Sequence, residues 1–356
     1  MRVDEFQPEW VSAPGDTIAD ILAERQLSVG DLARLINQDP STAQALLEGR
    51  ASITLAIARR LQTSLGGTVE FWMSRDFQYR SGVNRLEGEP QRWLRDLPIA
   101  DMIKYGWLPE IPRPSEELDA CLRFFGVKNL GAWHQRYAEV EQLANFRSSQ
   151  AFESKPAAVA AWLRQGEIEA EAMTCDDWDP IKFRAVLQNI RGLTRQKNPE
   201  AFVPQLQKLC GQSGVAVVIL RAPSGCRASG ATCFLSDRKA MLLLSFRHLT
   251  DDQFWFTFFH EAAHLLLHSK TRLFVDASEM PSSSEEEEAN TFAALTLVPS
   301  ELQPTLLKLP LNTMEVIRFA SKVGVSPGII VGQMQHLGLI SHNQLNRLKR
   351  RYHWVG

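Results

Sequence analysis

Three of the eight histidines in this 356-residue chain, His260, His264 and His268, fall within nine residues. His260 and His264 are four apart, so on a helix both imidazoles lie on one face and can chelate one ion. Glu261 follows His260, turned about 100° around the helix axis. There it can reach a water beside the ion rather than the ion itself, as a general base in hydrolysis requires. Phe258, Phe259, Leu265, Leu266 and Leu267 flank the trio and make this a buried helix. Two imidazoles and a carboxylate are costly in such a place unless they are paired or ligating.

A closed site with two histidines needs a third ligand from another element. The acidic run Glu285–Glu288 in SSSEEEEANTFAALTLVP is the best supplier. Acids in a first helical turn also suit the helix dipole, and Ser284 with Glu287 forms a capping box. Glu286 differs from its neighbours. Asn290, Ala293 and Leu297 follow it on one face, and the small side chains let this helix approach the histidine helix. Asn290 can then hold a ligand histidine from behind. Glu285, near the face of Ala289 and Phe292, is the second choice of ligand. His268 reads as structural or supporting, because one ion cannot easily use three successive turns of a straight helix. His336 can approach the site and stabilise a tetrahedral intermediate, although a plain surface or core role is the simpler account.

These residues need elements to place them. Gly214–Leu220 is continuous and β-branched and predicts a buried strand. Ala228–Leu235 and Ala240–Phe246 flank the turn Ser236–Lys239 as a hairpin. Helices follow over Thr250–His268 and Ser284–Leu297, the second stopping before Pro299. Strands first and helices after predict α+β architecture. From Glu89 to Gln212 the pattern is helical, broken at Leu108–Pro114 and Asp177–Pro180. Its aromatics (Trp93, Trp107, Phe124, Phe125, Trp133, Phe146, Phe152, Trp162) follow helical spacing and predict a core rather than a groove. From Pro14 to Tyr79 apolar residues recur as in short packed helices. The whole reads as mostly α with a small β-sheet, in three stretches: 1–85, 86–198 and 199–356.

The net charge of −2 excludes a chain that coats nucleic acid as a polycation. The five cysteines form no CxxC pair, so neither a disulfide framework nor a cysteine zinc site is indicated. The acidic N-terminus has no signal-peptide character, and no apolar run approaches a membrane span, so a cytoplasmic protein without membrane contact is expected.

The strand pair, FWFTFFHEAAHLLLH and EEEANTFAALTLVP, over about residues 200–335, resemble the ImmA/IrrE family of metallopeptidases, itself similar to thermolysin-type gluzincins. The resemblance implies a zincin-like fold and Zn2+ held by His260, His264 and Glu286. It makes Glu261 the catalytic base and Asn290 the supporting amide. Ala263 stands where the family often has glycine, a small change. The resemblance also implies that an extended peptide pairs with the strand beside the cleft, here Ala228–Leu235, with Gly230 allowing close approach. Cys226 and Cys233 nearby have no perturbing charge in view and read as inert thiols.

The segment LSVGDLARLINQDPSTAQALLEGRASITLAIARRLQTSLGGTVEFW resembles an XRE-type helix-turn-helix of the HigA antitoxin-like kind. The features that carry it are Pro14-Gly15, Leu27-Ser28, Asp31 to Ala33, Ser41-Thr42, Leu47 to Gly49 and Glu70 to Trp72. Such a module places the start of its second motif helix in the major groove. Gln38, Ser41, Thr42 and Gln44, with Arg50, are the candidate DNA contacts. Against this, residues 1–80 hold eight Lys+Arg and eleven Asp+Glu, a balance of −3, whereas phosphate neutralisation dominates DNA affinity. Arg50, Arg59 and Arg60 offer a local basic edge. Protein interaction or homodimerisation is the alternative role. The tail from Ser341 onward carries Arg347, Lys349, Arg350 and Arg351 with no acid and reads as a solvated helix, able to touch nucleic acid or an acidic partner.

Two functional expectations follow. One is a zinc-dependent endopeptidase fused to a DNA-binding regulatory module, cutting a transcriptional repressor, a related regulatory protein or this chain itself. The other is a non-catalytic, antitoxin-like transcriptional repressor whose metallopeptidase fold acts as a sensor. Glu261 divides them, because a purely structural zinc site does not need a base.

Overall fold

A computed structural model describes residues 12–111, 113–140, 155–269, 273–276 and 284–354. Phe146 and Phe152 lie outside the described residues. The chain forms two compact units, Met1–Asp96 with Ser148–Glu153, and Leu97–Arg147 with Ser154–Gly356.

The first unit is a helical bundle: α1 (Pro14–Glu24), α2 (Val29–Ile36), α3 (Pro40–Leu47), α4 (Leu55–Leu65) and α5 (Val69–Asp96). Ser28 starts α2 by accepting from the amide of Asp31, Asn37 ends it in the left-handed region, and Thr54 caps α4. Ile18, Leu32, Ile36, Ala43, Leu61 and Trp72 are fully buried and form the core the apolar spacing predicts. The approach of α1 to α3 requires Gly15, since a Cβ there would lie 2.0 Å from the carbonyl oxygen of Leu47. Trp72 Nε1 donates to the Gly66 carbonyl at 2.8 Å and fixes the entry to α5.

The second unit begins with α6 (Ile99–Lys104), α7 (Glu117–Phe125), α8 (Leu130–Arg136), α9 (Pro156–Ala172), α10 (Pro180–Leu193) and α11 (Pro199–Gly211). Phe125 and Trp133 are buried in edge-on contact, as a core role for those aromatics requires. Then come β1 (Val215–Ile219), β2 (Gly230–Ser236), β3 (Lys239–Leu244), α12 (Asp251–Leu267), β4 (Phe274–Asp276), α13 (Ser284–Leu297), α14 (Gln303–Leu307), α15 (Thr313–Val323) and α16 (Pro327–His336). The sheet order is β1-β3-β2-β4, with β1 parallel to β3 and the other pairs antiparallel. Both faces are covered, which is why β1 and β3 are unbroken apolar runs. Leu242 and Leu244 face the cluster of Phe254, Trp255, Phe258 and Phe259 on α12. Leu243 and Met241 face α9, where Gly166 leaves no room for a Cβ. Among the described residues, no helix is long and apolar enough to cross a membrane.

Two sequence expectations are corrected. First, the β2 strand expected to pair with an extended peptide already has a partner along Gly230–Thr232. β4, three residues long and not foreseen, pairs Gly230, Ala231 and Thr232 with Asp276, Val275 and Phe274. Second, the basic tail is not a solvated helix, because Lys349 and Arg350 are used internally while Arg347 and Arg351 stay exposed. Lys349 Nζ lies 2.6 Å from Asp252 and 2.7 Å from Gln335 Oε1. Arg350 donates through Nη1 to the carbonyls of Thr194 and Gln196. Its amide donates to Asp251 Oδ1 at 2.9 Å, and the amide of Tyr352 donates to the Leu249 carbonyl. The tail thereby straps the start of α12.

Asp252 is buried and Lys349 largely so, and removing the lysine strands the carboxylate. Lys349→Met is expected to lower stability by roughly 3–5 kcal/mol, read from denaturant midpoints. Lys349→Met with Asp252→Asn should recover most of it; equal midpoints for the single variant and the parent would contradict this. Burial also pushes the thiols of Cys121 and Cys226 up to about 12 and raises that of Cys210. They are therefore neutral at pH 8 and poor nucleophiles. Iodoacetamide at pH 8 should leave all three unlabelled in the native protein and label them in denaturant, by intact mass.

Candidate metal centre

α12 runs through the middle of the second unit and is buried on nearly every side. His260, Glu261 and His264 are 3%, 0% and 2% exposed. α13 lies along α12 on its small face, with Ala289 and Ala293 fully buried. That close approach brings the first turn of α13 over the two histidines.

There, Glu286 Oε2 is 3.1 Å from His260 Nε2 and Oε1 is 3.6 Å from His264 Nε2. The two Nε2 atoms are 3.0 Å apart. Among the described residues, His260, His264 and Glu286 form a group whose ligand atoms all lie within 4.8 Å of one another. Glu285 is not in that group. Burial alone would raise the Glu286 carboxyl, but the hydrogen bond from His260 and the neighbouring imidazoles bring it below the usual carboxylate range.

His260 Nδ1 is 3.0 Å from Asn290 Oδ1. An amide oxygen only accepts, so Nδ1 carries a proton, and a ring that ligates a metal through Nε2 would be the neutral Nδ1–H tautomer. His264 Nδ1 meets Nδ1 of His268 at 2.8 Å. The donor set is thus two imidazole nitrogens and a carboxylate converging on one point, which is how a Zn2+ ion is held. The residues fit a divalent cation.

Glu261 points away from that group toward the sheet. Thr232 Oγ1 donates to its Oε2 at 3.2 Å. A Cβ on Gly230 would lie 2.5 Å from Glu261 Oε1, so β2 can pass this close to the carboxylate only with glycine there. Gly230 and Thr232 are two apart on a strand and share a face, so the position of one implies the other; sequence reasoning used the first and missed the second. It also missed Phe274, whose ring stacks on His264 at 4.2 Å and 19°. No local signal marks Phe274, because its partner comes from the neighbouring helix.

His336 does not join the donors. Its ring is 6.4 Å from Phe256, whose own ring is 6.3 Å from His260. Instead it lines a cavity of about 500 Å³ with Phe256, Asn290, Ala294, Ile329 and Leu337. Asn290 belongs to both the cavity and the metal centre, so the cavity opens beside the donor group.

In the first unit the five candidate DNA contacts lie around α3, and two acids engage four of them. Asp39 caps α3 and accepts from the hydroxyls of Ser41 (2.5 Å) and Thr42 (2.6 Å) as well as their amides. Those hydroxyl hydrogen bonds hold its carboxyl well below the usual range. Glu48 accepts from Gln44 Nε2 at 2.7 Å and pairs with Arg50. Gln38 is exposed just before the helix.

A family profile described as the IrrE N-terminal-like domain of peptidase M78 matches residues 212–332. That span holds β1 to β4, the residues His260, Glu261, His264, Glu286 and Asn290, and most of α16. In addition, 61 residues, 17% of the chain, are 36% identical to the uncharacterized HTH-type transcriptional regulator YddM of Escherichia coli (strain K12). The match spans 65% of YddM, less than two thirds of its length. Residues 212–332 are therefore similar to an IrrE N-terminal-like domain of peptidase M78, and the N-terminal part is similar to a helix-turn-helix regulator.

Proposed function

We propose that the chain is a zinc-dependent endopeptidase joined to a DNA-binding regulatory module, and that it cuts a transcriptional repressor or related regulatory protein in the cytoplasm. The observation that carries this reading is Glu261: a fully buried carboxylate beside a three-donor group, hydrogen-bonded to Thr232 instead of serving as a donor itself.

His260, His264 and Glu286 would hold the metal, which when bound supplies the positive charge that polarises the scissile carbonyl. The chain's own groups do the rest. Glu261 takes the proton of the attacking water and returns it to the leaving amine. Thr232 holds Glu261 through its Oε2, and Asn290 keeps His260 in the tautomer with a bare Nε2. The cavity beside Asn290, walled by Phe256, Ala294, Ile329 and Leu337, suits an apolar side chain of the substrate.

The non-catalytic sensor is the second reading, and one observation favours it. β4 occupies the edge of β2 along Gly230–Thr232, the stretch nearest Glu261. In that arrangement a peptide has no main-chain pairing there.

Glu261→Gln separates the two. It should keep stoichiometric zinc, measured by metal analysis, yet lose cleavage by about 10²–10⁴-fold. Chelation should abolish cleavage and added Zn2+ restore it. Zinc binding with no cleavage by either form, across the chain itself and candidate repressors, would leave the sensor.

For the N-terminal module, the acids on α3 make a distinct demand. Glu48→Gln removes the partner of Arg50 and frees it for phosphate. DNA affinity for the region upstream of the gene should then rise, and the slope of log K against log salt should steepen by about 0.9. No salt-sensitive binding by parent or variant would assign the module to protein interaction or homodimerisation.

A further inference from the structure

We propose that His268 and Glu288 are a positioning pair that sets the tautomer and the angle of His264 as a metal ligand. The proposal rests on the metal-centre reading above.

His268 stands one turn past His264, at the end of α12, with its side chain 4% exposed. Its Nδ1 is 2.8 Å from Nδ1 of His264, and its Nε2 is 3.3 Å from Glu288 Oε2. Two nitrogens at 2.8 Å share one proton, and a neutral imidazole has one donor and one acceptor. Two directions are therefore open to the chain of contacts. In one, His264 donates from Nδ1 to His268, which donates from Nε2 to Glu288. His264 Nε2 is then bare and faces His260 and Glu286. In the other, His268 donates from Nδ1, its bare Nε2 faces a carboxylate, and His264 Nε2 carries the proton. The second sets two acceptors against each other at Glu288 and removes the lone pair a metal needs. Glu288 breaks the tie.

Phe274 adds the angle. Its ring stacks on His264 at 4.2 Å and lies 5.5 Å from His268, so one aromatic face braces both imidazoles. The two ligands are thus oriented by different devices: an amide oxygen for His260, and an imidazole backed by a carboxylate for His264. Such outer partners fix ring orientation and commonly alter metal affinity by about 10–100-fold.

The test uses the full chain, stripped of metal, with Zn2+ affinity measured by competition against a chromophoric chelator and Co2+ by its visible spectrum. His268→Ala should weaken Zn2+ binding by about 10–100-fold and shift the Co2+ bands. His268→Gln, whose amide oxygen can accept from His264 Nδ1, should recover most of the affinity. Glu288→Gln should show a smaller loss in the same direction. Leu267→Ala, at a 40% exposed neighbour, should change neither readout, and melting of the metal-free forms shows that each variant is folded. If the parent binds no Zn2+, the metal-centre reading fails and takes this proposal with it. If the parent binds and His268→Ala binds equally well, or His268→Gln is as weak as His268→Ala, the positioning role alone is overturned.

Discussion

Two imidazole nitrogens stand 3.0 Å apart with a carboxylate alongside, inside a helix surrounded by phenylalanine and tryptophan. In the ligating state both rings would be neutral with their protons directed outward, so that two lone pairs and a negative charge meet where little water can screen them. Such a group is self-repelling unless a cation is shared. Much of the second unit can be read as the means of holding that arrangement. Alanines at 289 and 293 bring one helix onto another, glycine at 230 brings a strand within contact of Glu261, and the C-terminal strap pins the helix at its far end.

The division of labour along α12 follows from helical geometry. Residues four apart share a face and converge on one point, while the residue after the first histidine is turned toward the sheet. A single helix therefore presents His260 and His264 to α13 and the Glu261 carboxylate to β2. The same logic explains why Thr232 and Asn290 come from different elements. Each serves the side of the helix that its own element covers.

What the sequence made legible was local or periodic. The four-residue histidine spacing, the helix over Ser284–Leu297, the buried strands and the bundle of short N-terminal helices all rest on patterns within one segment. What was not legible depended on distant partners. Phe274 is one of only three residues in its strand, and its meaning comes from His264 and from β2. The tail's run of cations looked solvent-facing because Asp252 and the carbonyls of Thr194 and Gln196 lie far away in sequence. Asp39 is an instructive local miss. An acid directly before Pro40 is a helix-start signal, although Ser41 and Thr42 are also polar residues able to read bases. Their hydroxyls are turned to the cap instead.

The smallest strand of the sheet has a consequence out of proportion to its length. β4 closes the edge of β2 and, through Phe274, lays a ring against a histidine of the metal centre. Strand order at that edge and imidazole orientation are therefore one mechanical variable. A peptide that took the place of β4 on β2 would remove the Phe274 ring from His264. The residue that closes the edge and the residue that braces His264 thus sit in the same three-residue strand.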